Sequence, residues 1–266
     1  MEMDRIDQIL KFHVMGNWRE EQVRIRRVQQ TRPRVTEIEA MIEQAWKQAK
    51  ARPGVNLFDG PMCRLEKWEQ GTSELLLELS ETTYSAFLGT NLNHPELADR
   101  YGEAALANPV GVSPALVTAD GYVLMGRRND SVAYYPRRIH PFAGALDPAD
   151  ASVFEAVRRE LWEELHLRAE DLVEVRCTGI AEDRSIRQPE LIFSARTLRT
   201  RAEVEARLDQ AEHVGVWACP ATREGVETAL ESAEEFTPVA VAALVMWGRG
   251  EFLEGWFEEN CATKNV

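Results

Sequence analysis

The sequence predicts an α/β protein in which an N-terminal α+β extension precedes a strand–helix–strand core. Three observations carry that expectation. Residues 110–128, VGVSPALVTADGYVLMGRR, divide into two apolar runs at the turn-forming ADG, a hairpin signal. Residues 152–167, SVFEAVRRELWEELHL, have helical period behind a serine able to cap them. Two further apolar runs, 172–184 and 189–198, read as strands around a polar turn, so the helix lies between strands.

Taken in order, the first 30 or so residues read as charged and irregular. Residues 35–51, VTEIEAMIEQAWKQAKA, have helical period, with Thr36 as N-cap and ARPG as the stop. CRLEKWEQ (63–70) and ELLLELSET (74–82) read as two strands turning at Gly71-Thr72. TYSAFLGTN (83–91) is expected to be a short helix running into a loop, and residues 93–109 a helix ending before Pro109. After the hairpin, residues 134–150 read as a loop rich in Pro and Gly. Beyond the paired strands, 204–211 is a short helix, HVGVWACP (213–220) a strand, and 225–232 with 236–252 helical. The boundary is drawn at 1–107 for the extension and 108–266 for the core domain.

A chain of 266 residues is long enough to bury a full core, and its formal net charge of −13 makes it a poor partner for a phosphate backbone. No nucleic-acid role is therefore expected. The N-terminal MEMDRIDQIL carries charges where a secretory signal needs an apolar run, and the apolar 238–247 is too short to span a bilayer. Four cysteines (63, 177, 219 and 261) form no zinc spacing, and a reducing compartment is the simple inference. The expectation is a soluble cytoplasmic protein with no membrane partner; the sequence leaves its oligomeric state open.

The stretch RRELWEELHL (158–167) raises the main chemical question. Residues three and four apart share a helix face, so Glu160, Glu163 and Glu164 cluster while Leu161 and Leu165 turn to the core. Such a face is either solvated or holds a hard divalent cation, Mg²⁺ or Mn²⁺. Arg159 is placed to orient a carboxylate through a bidentate hydrogen bond.

In its surroundings this helix resembles the signature of the Nudix superfamily, GX5EX7REUXEEXGU, with U a bulky aliphatic residue. Residues 159–167 match REUXEEXGU except that His166 stands where glycine is usual. Upstream the match loosens: the first glutamate falls on Ala151 and the opening glycine on Ala145, beside Gly144. The resemblance implies an α/β/α sandwich with a mixed sheet. His166 is expected to take the left-handed turn that glycine normally supplies. LFDGPMCRLE (57–66), TTYSAFLGTN (82–91), residues 107–128, CTGIAED (177–183) and PVAVAALV (238–245) are similar to one divergent branch, the UDP-glucose pyrophosphatases known from animals.

That resemblance implies a pyrophosphatase acting on a small nucleotide sugar, UDP-glucose or UDP-galactose, with Mg²⁺ or Mn²⁺ on Glu160, Glu163 and Glu164. Arg159 orients a carboxylate, and Glu163 and Glu190 are both candidate general bases. Phe58, Tyr84, Arg128 and Asp147 occupy positions that, in that branch, approach the substrate; His140 lies on the same loop as Asp147. Two other readings stand beside this one. One is a hydrolase of another nucleoside diphosphate derivative such as ADP-ribose, NADH or a CoA ester. The other is a non-catalytic nucleotide-sugar sensor, motivated by the losses at Ala151 and His166.

Overall fold

A computed structural model describes residues 6–52, 57–252 and 255–257. Residues 6–27 are not irregular. They form a short helix α1 (Ile6–Ile9), strand β1 (Leu10–Trp18) and strand β2 (Val23–Arg27). Leu10, Val14 and Trp18 are buried, but the alternation that would announce a strand is masked by register shifts between Phe12 and Val14 and between Met15 and Trp18.

Helix α2 (Thr36–Lys50) begins one residue earlier than the expected Thr36 cap allows, with Val35 at the N-cap and Thr36 already helical, and buries Ile38, Ala45 and Ala49. The two strands that follow, β3 (Pro61–Gln70) and β4 (Leu75–Thr83), are antiparallel and, with β2 parallel to β4, make a three-stranded sheet. Helix α3 (Tyr84–Phe87) continues into a π turn over Leu88–Leu92, and helix α4 (Leu97–Tyr101) covers only part of the segment expected to be helical. Gly102, at φ 82°, ends it.

The hairpin is β5 (Gly111–Val117) and β6 (Tyr122–Arg128), turning through Gly121 at φ 80°. The Pro/Gly loop contains two short strands, β7 (Ile139–His140) and β8 (Gly144–Ala145), which pair with β6 and β5. Helix α5 (Val153–Leu165) is capped by Ser152, whose hydroxyl accepts from Glu155 N. Then come β9 (Leu172–Asp183), β10 (Gln188–Thr197), a helix α6 of only five residues (Arg201–Glu205), β11 (His213–Pro220), α7 (Arg223–Glu231) and α8 (Pro238–Phe252).

The large sheet runs β1-β9-β10-β5-β6-β11 and is mixed: β10 is parallel to β5, whereas β1–β9, β9–β10, β5–β6 and β6–β11 are antiparallel. On one face it buries Val112, Leu116 and Phe193 against Leu161 and Leu165 of α5 and Leu75, Leu77 and Leu79 of β4. On the other, Ala115, Val117 and Ile192 meet α7 and the small apolar residues of α8. The expected α/β/α sandwich is therefore present, and the extension gives the large sheet a strand and shares its core. Among the described residues no helix is long and apolar enough to cross a membrane. Cys63, Cys177 and Cys219 are buried free thiols; Cys261 lies outside the described residues.

Candidate active site

Two sequence motifs of the extension build one wall of a cavity of about 950 Å³. In LFD, the Asp59 carboxylate accepts from Ser85 N and Ser85 Oγ, both at 2.8 Å, and so ties the segment to the start of α3. In FLGTN, Gly89 lies so close to α2 that a Cβ there would approach Ile42 Cα to 2.5 Å. Thr90 Oγ1 accepts from Ala107 N at 3.0 Å. Buried Asn91 accepts from Asn108 N at 2.9 Å and donates toward Ile186 O and Arg187 O, each at 3.1 Å. This motif fastens the extension to the core domain, and Leu57, Tyr84, Phe87 and Leu88 then face the cavity. The rings of Trp46, Tyr84, Phe87, Tyr134 and Tyr135 run in contact, with successive centroids 5.7–6.2 Å apart.

Tyr84, Arg128, His140 and Glu190, four of the residues expected from the sequence, line this cavity together. Arg128 ends β6, is 5% exposed and lies with its guanidinium 5.1 Å from the Tyr134 ring centre. Its buried Nε has no acceptor, and no carboxylate forms an ion pair with it among the described residues. A buried cation without a counterion is costly unless an anion supplies one. His140 is buried, with Nδ1 2.9 Å from Thr237 Oγ1; burial and the positive charge of Arg128 hold its pKa well below the usual imidazole value. Glu190, paired in register with Gly111, uses the space of the absent side chain: a Cβ on Gly111 would fall 2.1 Å from Glu190 Oε2. Ser113 Oγ donates to Glu190 Oε2 at 3.1 Å, but burial dominates and pushes the carboxyl up to about 8.

The acidic helix borders this cavity through the loop residues Ala143, Gly144 and Ala145, which line it. Glu160 is packed against Gly144, where a Cβ would lie 2.2 Å from Glu160 Oε1. Burial, followed by the charge of neighbouring Glu164, pushes Glu160 up to about 7 against the opposing pull of Arg159. Glu164 is buried too. It accepts from Ala143 N at 3.0 Å on Oε1, its Oε2 is hydrogen-bonded to His213 Nε2 at 2.6 Å, and desolvation raises its pKa well above the ordinary value. Burial and Arg128 lower His213 to about 4, so the ring is neutral where it meets Glu164. Glu163 is exposed on the outer side.

Two buried carboxylates one turn apart are the hard oxygen donors a divalent cation prefers, and their raised pKa values mark desolvated groups that a cation would hold ionised. As they stand, Glu160 faces Arg159 and Glu164 faces His213. No three His, Cys, Asp or Glu side chains converge among the described residues. The donor types fit: one or two carboxylates, completed by water and phosphate oxygens, suffice for Mg²⁺.

Phe58 and Asp147 are not brought into the cavity. Phe58 is 81% exposed beside Leu57. Asp147 Oδ1 accepts from Ala149 N at 2.7 Å, the bond of a turn residue ahead of Pro148. His166 does adopt the left-handed conformation, φ 50° and ψ 33°, and its Nδ1–H donates to Trp162 O at 3.1 Å, stabilising the helix end.

Tyr134, His213 and Asp150 escaped the sequence reading. Tyr134 lies in the Pro/Gly loop, and His213 opens a strand with no local hint that it meets Glu164. Asp150 closes the Pro/Gly loop, yet it grips Arg159.

Residues 107–238 match the NUDIX domain family. Uridine diphosphate glucose pyrophosphatase NUDT22 of Homo sapiens is 32% identical over 165 residues, 50% of this chain and 54% of that protein. The protein of the same name from Mus musculus is 33% identical over 156 residues, 47% of this chain and 50% of that one. The chain thus spans about half the length of the curated relatives it matches. A solved NUDIX hydrolase from Nitrosomonas europaea is 18% identical, with a TM-score of 0.40, covering 53% of this chain and 89% of that one.

Proposed function

With residues 107–238 matching the NUDIX domain family, we propose that this chain hydrolyses the pyrophosphate bond of a nucleoside diphosphate sugar, UDP-glucose first and UDP-galactose second. Water adds to one phosphorus, the bond from that phosphorus to the bridging oxygen breaks, and UMP and a hexose 1-phosphate leave. The observation that carries the reading is Arg128, a buried cation with an unsatisfied Nε on an aromatic-walled cavity large enough for a nucleotide sugar. The curated relatives named as UDP-glucose pyrophosphatases support the choice of substrate.

In this account Arg128 binds the diphosphate, and Tyr84 and Tyr134 offer flat surfaces for the uracil. The extension is assigned to substrate binding through Tyr84, with Phe58 at the margin. Glu160 and Glu164, with Glu163 beside them, would hold Mg²⁺, or Mn²⁺ in its place. When bound, the cation offsets developing charge on the phosphates and acidifies water. Glu163 and Glu190 are the two carboxyls assigned to proton transfer; Glu163 is open to solvent, and Glu190 already faces the cavity. Asp147 stays a sugar-hydroxyl acceptor only if its turn opens.

The test is incubation with Mg²⁺ and a panel of UDP-glucose, UDP-galactose, ADP-ribose, NADH and a CoA ester, resolving products by chromatography. UMP and hexose 1-phosphate from the UDP-sugars are expected; turnover confined to another member reassigns the substrate. A nucleotide-sugar sensor has one observation in its favour, the lack of three converging metal-ligating side chains among the described residues. Tight UDP-sugar binding without products would select it.

A further inference from the structure

The Arg159 guanidinium is held from two sides. On one, Nε lies 3.1 Å from Asp150 Oδ1 and Nη2 lies 3.0 Å from Asp150 Oδ2, the bidentate fork that fixes a guanidinium in plane. Nη2 also donates to Ala145 O at 3.0 Å. On the other side, Nη1 donates to Glu160 Oε1 at 2.6 Å and lies 3.5 Å from Glu163 Oε2. Asp150 is itself fixed: it is buried, and its Oδ2 accepts from Asp147 N at 2.9 Å. Its neighbour Ala151 is exposed and carries no functional group, at the position where the signature has glutamate.

The geometry points to Asp150 as a positioning residue for the hydrolysis proposed above: it locks Arg159 so that Nη1 presents to Glu160, in a chain whose Ala151 offers no carboxylate. This inference rests on that hydrolase reading. Two of the three guanidinium nitrogens are committed to Asp150 and the Ala145 carbonyl, so the third has one direction left, toward Glu160 and Glu163. Without Asp150, only the Ala145 carbonyl holds that side of Arg159, and the guanidinium can swing onto the exposed Glu163, leaving Glu160 unoriented. Asp150 does not line the substrate cavity and acts through Arg159.

The experiment compares wild type, Asp150→Asn and Asp150→Glu with UDP-glucose and Mg²⁺, alongside thermal melts and ¹⁵N spectra of the arginine Nε–H groups. Asn keeps the shape but loses the second acceptor. Asp150→Asn is expected to lower kcat about 10–100-fold with KM within about twofold, and Asp150→Glu to recover most of it. An unchanged kcat in Asp150→Asn overturns the inference, as does a loss that tracks the melting temperature and is not recovered by Glu. If wild type turns over no nucleotide sugar, the hydrolase reading has failed and the spectra decide the clamp separately. A distinct Arg159 Nε–H signal that merges with the solvent-exposed arginines in Asp150→Asn supports it, and an unmoved signal overturns it.

Discussion

Replacing Arg128 with Met separates a binding role from a structural one, because the two predict opposite outcomes. The guanidinium is buried, its Nε is unsatisfied, and its one recorded partner on the cavity side is the Tyr134 ring. Met has similar reach and needs no solvation, so removing the cation relieves a desolvation cost while losing a cation–π contact of roughly 1 kcal/mol. The two terms oppose each other, and the melting temperature is expected to move by no more than about 4 °C. Binding behaves differently. A charge-assisted hydrogen bond to phosphate contributes about 1.5–3 kcal/mol, which converts to roughly 10–150-fold in affinity. Titration calorimetry with UDP in Mg²⁺, beside a thermal melt, reads both quantities on one preparation. A melting temperature that falls by more than about 8 °C while UDP affinity holds would refute the reasoning and make Arg128 a structural residue.

Other substitutions test the neighbouring claims. Asn91→Ala leaves Asn108 N and the Ile186 and Arg187 carbonyls without their partner, and is expected to destabilise the fold by about 2–4 kcal/mol in urea unfolding; a change under about 0.5 kcal/mol would deny FLGTN its fastening role. Gly144→Ala places a methyl 2.2 Å from Glu160 Oε1 and forces that carboxylate away, so UMP release should fall at least about tenfold while the melting temperature drops only a few degrees. Glu190 is held neutral in the fold until about pH 8 but ionises near 4.5 once unfolded, so each step of pH between those values favours the unfolded chain. Glu190→Gln should therefore melt progressively higher than wild type from pH 5 to pH 8, and an offset constant with pH would contradict the buried, protonated carboxyl.

Much of this was legible in the sequence because it is local. The ADG hairpin, the Ser152 cap, the burial of Leu161 and Leu165 and the left-handed His166 each follow from residues within one turn or one strand of each other. The N-terminal strand was not legible, since bulges break its alternation and its apolar residues make sense only against β9. Site partners separated by tens of residues were equally hidden. His213 reaches Glu164 across 49 positions, and nothing near either residue signals the other. Phe58 illustrates the converse: a motif position expected to touch substrate stands in solvent because its neighbour Asp59 is the residue that anchors the loop. Asp150 ends the loop in DPAD, where a half-buried ion pair with Arg159 leaves no trace in composition or period.

The central claim is that the buried carboxylates of α5 and the cation they bind carry out pyrophosphate cleavage beside Arg128. Its most direct test is the rate of UMP release from UDP-glucose by wild type and Glu164→Gln, each with Mg²⁺ and again after chelation. The account predicts release by wild type with Mg²⁺, a rate at background after chelation, and a Glu164→Gln protein that remains folded by its melting curve but inactive under both conditions. Full activity in Glu164→Gln, or wild-type release that survives complete removal of divalent cations, would contradict it.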